Sequence, residues 1–366
     1  MSGLLQDGAL PLPAWAAADG PQAEIVLATR VRLARNIAGE PFPGSAAPRE
    51  REQLAGDLAA VVAGLPGLEG ARRHELGHLS ADELLCLHEL QLLGPGRGDD
   101  PAGRILLLGP GLRRTAQVGD EDHLRLQTWR SGLDPEAALA DALAWDADLE
   151  REIEPAFAED LGYLTASPAN VGTGLRISAL LHLPGLVLGD EIEKVLNALR
   201  QLQFSVRGLA GDGATVRGSL FLVANMVCLG LSEQEVAEDF RANVLKIATY
   251  ERLAREQLFE RDPLGLEDMA WRSLATLQSA RLISGQETWD RLSNVRLGAD
   301  QGVLPGPAPA VLNRATLGLR QRAAGIGDQW RQREHDQGSN HRVDNGVTVS
   351  HSELSFHIRC RFELCR

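Results

Sequence analysis

The chain of 366 residues is long enough for about two domains at roughly 100 to 200 residues each. Hydrophobic residues make up 44% and charged residues 24%, which excludes disordered and fibrous classes. Thirty-seven Lys and Arg against 50 Asp and Glu leave a net charge of −13, which argues against a general nucleic-acid or anionic-membrane surface.

Residues 1–22, rich in Ala, Gly and Pro, read as an irregular lead-in. From Glu24 the run EIVLA has strand character and leads into TRVRLARN, where alternation puts Arg30 and Arg32 on one strand face. Residues 46–65 and 80–93 read as helices, and Ser80 followed by Glu83 has capping-box spacing. The segment 95–101 is a loop and RILLL (104–108) a buried strand. It is followed by DEDHLRLQ, in which three acids abut a His and an Arg. A helix over about 134–148 leads to the glycine-bearing loop SPANVGTGLR (167–176).

The stretch 177–188 is apolar, and 191–202 has a helical period through Ile192, Val195, Leu196 and Leu199. Strands are expected near 204–206 and 219–227, separated by RGLAGDG. Ser232 and Glu235 cap a helix running to about Glu256. These elements predict an α+β domain over 23–256, a sheet with helices packed against it. After Asp262-Pro263 the pattern is helix after helix (266–283, 284–292, 309–323), an all-helical domain over 263–330. A tail over 331–366 follows, in which Phe356, Ile358, Cys360, Phe362 and Leu364 alternate as in a strand. No internal repeat is found. The longest apolar stretch, 219–231, is too short to span a membrane at about 18 residues or more. With no secretory signal and no disulfide framework among Cys86, Cys228, Cys360 and Cys365, the expected setting is reducing and cytoplasmic.

The chemistry lies in recurring arginines. Arg30 and Arg32, Arg125, Arg176 and Arg207 stand at expected strand or loop ends in four places, the last two beside glycines. Converging guanidiniums grip a triphosphate bidentately and hold the charge that builds on a transferring phosphoryl group, without a Walker lysine. Glu121 and Asp212 would then face a cationic acceptor, orient a planar guanidinium for in-line attack and take its proton. His123 is open to a general-base or a structural role. His351, His357, Cys360 and Cys365 match no standard zinc spacing. Cys228 is expected as inert core in an apolar strand.

TRVRLARN, DEDHLRLQ, SPANVGTGLR and RGLAGDG, in this order, resemble the signature segments of the ATP:guanidino phosphotransferases, the phosphagen kinase superfamily. GYLTASPANVGTGLRISALLHLPGLVL, LEDMAWRSLATLQSARLIS and LSNVRLGADQGVL resemble its bacterial protein-arginine kinases of the McsB type, over roughly residues 22–318. The resemblance implies that 23–256 is a catalytic domain of glutamine-synthetase-like fold, an antiparallel sheet flanked by helices, with ATP and Mg2+ and transfer to arginine side chains of proteins. The catalytic set implied is Glu121, Asp212, Arg125, Arg176 and Arg207. The nucleotide is implied to contact Ala28, Thr29, Arg30, Val31, Arg32 and Gln91, then Arg125, Arg176, Ile177, Ser178, Ala179 and Leu180, and finally Arg207, Gly208, Leu209, Ala210, Gly211 and Asp212. Asp120 matches an acid associated with the nucleotide's magnesium. Implied partners are protein substrates with exposed arginines, a zinc-binding activator of the McsA type, a Clp-type unfoldase and a second copy in a homodimer. Neither nucleic acid nor membrane is implied.

Departures from that pattern are specific. Asp212 stands where the family has Glu, one methylene shorter, and a misplacement of about 1 Å can cost on the order of a hundredfold in rate. Ser167 replaces a reactive Cys, Gln91 an adenine-stacking His, and no RDxxRA motif follows about Leu319. Two alternatives therefore stand beside the protein kinase: a kinase for free arginine or another small guanidine, and a catalytically weak nucleotide-binding scaffold.

Overall fold

A computed structural model describes residues 12–94, 101, 103–208, 216–305, 309–316 and 348–350. Its frame is an eight-stranded sheet in the order β2-β3-β4-β5-β1-β8-β10-β9, every neighbouring pair antiparallel. The strands are β1 (Val26–Arg35), β2 (Arg72–Glu75), β3 (Ile105–Leu108), β4 (Arg114–Val118), β5 (Leu124–Ser131), β8 (Leu175–His182), β9 (Phe204–Gly208) and β10 (Leu220–Asn225). A small pair, β6 (Phe157–Ala158) and β7 (Gly162–Tyr163), stands apart.

The alternation of side chains along each strand decides what each face does. One face presents Val31 and Leu33, Leu124 and Leu126, Ile177 and Ala179, Phe221 and Val223. These pack against Leu58 and Val62 of α1 (Pro48–Ala63), Ala142 and Trp145 of α3 (Pro135–Leu149), and Phe240 and Val244 of α6 (Glu233–Arg261). Full burial of each Leu, Val or Phe there contributes about 1.5–3 kcal/mol. The other face carries Ala28, Trp129, Leu180 and Leu222, covered by Trp15, by Leu87 of α2 (Ala81–Glu89) and by Trp289. Beyond that apolar patch the same face turns polar.

Helix ends follow the expected caps. Glu83 N–H donates to Ser80 Oγ at 3.2 Å and Ser80 N–H to Glu83 Oε2 at 2.9 Å. Ser232 and Glu235 repeat the arrangement at the start of α6. α4 (Pro184–Leu188) and α5 (Ile192–Gln201) complete this part. Asp262 caps α7 (Pro263–Ser279) through Gly265 N–H, with Pro263 in the first turn.

Several expectations change. β2, β4 and β5 are strands where none was expected, because β2 is short and charged and DEDHLRLQ hides its alternation behind an acidic turn. β1 runs without a break through the arginines, so Arg30 and Arg32 sit mid-strand rather than at a strand end. Cys228 lies beyond β10, although it is buried as expected. The C-terminal part is not all-helical: between α7 and α8 (Gly285–Asp300), β11 (Leu282–Ser284) pairs antiparallel with β12 (Thr348–Ser350). Backbone pairing with a segment distant in sequence leaves no helical or strand period to read. The alternating residues 356–364 and the four tail His and Cys lie outside the described residues.

A buried polar network joins the C-terminal helices to the sheet. Glu251 accepts from Gly185 and Leu186 N–H at 2.8 and 3.0 Å and pairs with Arg255, which also reaches Asp300 and the His182 carbonyl. Arg296 donates to the Ala23 carbonyl, and His182 Nε2 meets Ser293 Oγ at 2.9 Å. No helix among the described residues is long and apolar enough to cross a membrane.

Candidate active site

Strand register brings the arginines together. Arg32 lies opposite Arg176 and Arg30 opposite Ser178 across β1 and β8, while Ala34 faces Arg125 across β1 and β5. Leu222 pairs with both Leu180 and Arg207, which puts the β9 arginine on that face too. All five expected arginines thus occupy one face of one sheet, although up to 177 positions separate them in the chain. Gly174, at φ +66, makes the turn into β8. A Cβ there would stand 2.7 Å from the Ala34 carbonyl oxygen, so only glycine lets NVGTG approach β1 closely enough to aim Arg176.

The partners of these guanidiniums are mostly neutral oxygens. Arg30 Nε donates to Ser178 Oγ at 3.0 Å and Nη1 to the Gln91 carbonyl at 2.8 Å, with its guanidinium 5.0 Å from the Trp129 ring centroid. Arg176 Nη2 donates to Ser205 Oγ at 2.8 Å, and Arg207 Nη2 donates to Gln91 Oε1. Arg32, half-buried, has no hydrogen-bond or ion-pair partner among the described residues. Burial, then the charges of Arg207, Arg176 and Arg125, push Arg30 down to about 9. Burial followed by Arg30 and the other three holds Arg32 well below the usual guanidinium range. Burial also lowers Arg176 and Arg207, the latter aided by Arg176. Charge that is kept together at such a cost is poised to receive an anion.

Arg125 closes the cluster on the acidic side. Its Nη1 donates to Gln117 Oε1 at 3.0 Å and to Asp120 Oδ2 at 3.2 Å, and Nη2 stands 3.5 Å from Glu121 Oε2. Asp120 also meets Arg104 Nε at 3.5 Å. Asp122 serves structure: its Oδ1 accepts from Asn36 Nδ2 and Ala166 N–H, tying the loop before Ser167 to this acidic turn. His123 resolves to the structural role. Its Nδ1 accepts from Ile37 N–H at 3.1 Å, its Nε2 faces the Pro41 carbonyl at 3.1 Å, and burial lowers its pKa.

Not every expected contact residue reaches this face. The side chains of Thr29, Val31, Ile177 and Ala179 point to the helix-covered side, where Thr29 donates to the Gly132 carbonyl. Ala28, Ser178 and Leu180 do lie on the arginine face. Gly208 ends β9, while Leu209, Ala210, Gly211 and Asp212 lie outside the described residues. Gln117, Ser205 and Trp129 were not expected at the site; strand alternation in β4, β5 and β9 is the signal that finds them once the strands are known. Cys228 sits under the site, donating to the Leu175 carbonyl at 2.6 Å, and burial raises its thiol pKa. The described residues hold no group of three His, Cys, Asp or Glu able to bind a metal by themselves.

This geometry can hold a polyphosphate beside carboxylates, as a phosphotransferase acting on a cationic acceptor requires. Residues 64–254 match the family "ATP:guanido phosphotransferase, C-terminal catalytic domain", and residues 263–325 match "Protein-arginine kinase McsB C-terminal domain". The chain belongs to the protein-arginine kinase family. It is 37% identical over 305 residues to a protein-arginine kinase of Desulforamulus reducens, covering 82% of this chain and 85% of the relative. A protein-arginine kinase of Halalkalibacterium halodurans is 35% identical over 330 residues, covering 85% and 89%. The fold is shared with a duplicated taurocyamine kinase from Schistosoma mansoni (TM-score 0.56, 22% identity, 68% of this chain and 37% of that one). It is shared also with a lombricine kinase (TM-score 0.54, 24% identity, 66% and 71%). β1 with Arg30 and Arg32 precedes the matched catalytic segment; strand pairing is what adds these two arginines to the site.

Proposed function

We propose that this chain is an ATP-dependent protein-arginine kinase that transfers the γ-phosphoryl group to arginine side chains of proteins. The observation that carries it is the five-arginine face: among the described residues Arg30, Arg176 and Arg207 are held by neutral acceptors, Arg32 by none, and only Arg125 meets carboxylates, those of Asp120 and Glu121. The guanidiniums of Arg30, Arg32, Arg125, Arg176 and Arg207 bind the phosphates and stabilise charge on the transferring group. Glu121 orients the acceptor guanidinium and accepts the proton its nitrogen loses as the N–P bond forms. The bond from the γ-phosphorus to the bridging oxygen breaks, and ADP leaves. Asp212 is assigned the second acceptor contact.

The donor set suits a magnesium ion carried by the nucleotide: Mg2+ keeps several waters and binds through one or two carboxylates plus phosphates, and Asp120 is the carboxylate at the edge of the arginine face. When bound, the ion neutralises phosphate charge. The match of residues 263–325 to a domain named for protein-arginine kinases supports a polypeptide acceptor over free arginine.

The test is incubation with Mg-ATP and an arginine-rich protein such as casein, read by mass spectrometry under non-acidic conditions. Phosphoarginine is expected, and Glu121→Gln should lower its rate about 10² to 10³ fold while ATP affinity holds. Consumption of free arginine without protein labelling, or nucleotide binding without transfer to either, overturns the proposal.

A further inference from the structure

The role of Gln91 does not follow from its expected place beside an adenine ring. Gln91 follows α2 at φ +59, in the left-handed region. The turn is a Schellman motif: Leu92 N–H donates to the Leu87 carbonyl and Gln91 N–H to the His88 carbonyl, both at 3.0 Å. Glycine is the usual residue at that position, because a side chain there carries strain. A buried glutamine is kept in it nevertheless, 8% exposed, and every polar group it has is used.

Its carbonyl accepts from Arg30 Nη1 at 2.8 Å, its Oε1 accepts from Arg207 Nη2, and its Nε2 donates to the His88 carbonyl at 3.1 Å. The last bond orients the amide. Turned over, the amide would face the guanidinium with its NH2, donor against donor, and the His88 carbonyl with its oxygen. A carboxylate could hold Arg207 but would cancel its charge and repel that carbonyl. We infer that Gln91 is a positioning residue of the phosphotransfer site: a neutral brace between the end of α2 and Arg207 that fixes the most exposed of the five guanidiniums without neutralising it. The inference rests on the reading of the arginine face as the phosphate site.

Gln91→Gly separates this role from a structural one. Glycine keeps the backbone carbonyl that receives Arg30 and relieves the turn, so the melting temperature should stay level or rise. The brace on Arg207 is lost, so kcat/KM for ATP should fall on the order of tenfold, the scale of one charge-assisted hydrogen bond. In an Arg207→Ala background the same change should cost nothing further, read in kcat/KM and, independently of turnover, in equilibrium ATP affinity. Wild-type kinetics for Gln91→Gly, or a full tenfold loss repeated without Arg207, overturns the inference. Arg207→Ala that leaves both ATP affinity and rate untouched overturns the phosphate reading itself, a separate result.

Discussion

Arg32 and Arg35 are three residues apart on one strand and have opposite fates. Arg35 points to the helix-covered face, 1% exposed, bonded through Nε and Nη2 to the buried Asp146 and stacked over Tyr163 with 3.4 Å from guanidinium to ring centroid. Arg32 points to the other face among four further guanidiniums and has no counter-charge among the described residues. A buried charge paired within the fold is structure; a guanidinium kept among like charges without a counter-charge is a candidate for binding an anion. The parity of a strand position is all that separates the two.

Substitution of each arginine by a neutral side chain should split activity from stability. Arg32→Met is expected to lower the phosphorylation rate about 10² to 10³ fold, as for loss of one transition-state contact, with the denaturation midpoint unchanged or raised because like-charge repulsion is relieved. Arg35→Met should do the reverse, costing about 3–5 kcal/mol of stability by leaving Asp146 buried and alone. Urea titrations beside rate measurements check both, and similar profiles for the two variants would break the comparison.

The next effect is ligand-linked. A triphosphate should raise the stability of the wild type by about 2.7 kcal/mol at a hundred times its Kd, seen as an upward thermal shift that shrinks with added salt. The shift should nearly vanish in Arg32→Met and persist in any folded Arg35 variant.

The smallest concerns the apolar end of the arginine-bearing face, where His182 is buried against Ser293 of α8 as a neutral group. Burial, then Arg296 and Arg255, hold its pKa well below the ordinary 6.5. The unfolded chain therefore binds a proton that the folded one refuses. Its contribution is fully present above about pH 6.5 and is lost as pH falls, by at most about 1.4 kcal/mol per unit. Midpoints at pH 7.5 and 5.5 should converge in His182→Gln relative to wild type, while the triphosphate shift at pH 7.5 stays.

Much of this was legible in one dimension. Capping boxes at Ser80 and Ser232 act within four residues, so spacing alone reports them, and the two-residue period of Arg30 and Arg32 places them on one face whatever the strand pairs with. The five arginines were legible as a set through the resemblance of four short segments. Less legible were β4 and β5, whose polar positions Gln117, Arg125 and Gln127 face a charged site and so break the apolar pattern by which strands are recognised.

Local chemistry thus determined the helices, their ends and which residue types could hold phosphate, because these depend on neighbours a few positions away. Only the tertiary structure decided that β1 lies between β5 and β8 and β9 beside β10, so that Arg125, Arg176 and Arg207 join Arg30 and Arg32. It also decided that Gln91 braces Arg207 across 116 positions and that Arg35 meets Asp146 across 111. Register and sheet order are set by the burial of whole faces against α1, α3 and α6. That is a sum over distant parts of the chain, and no short segment carries it.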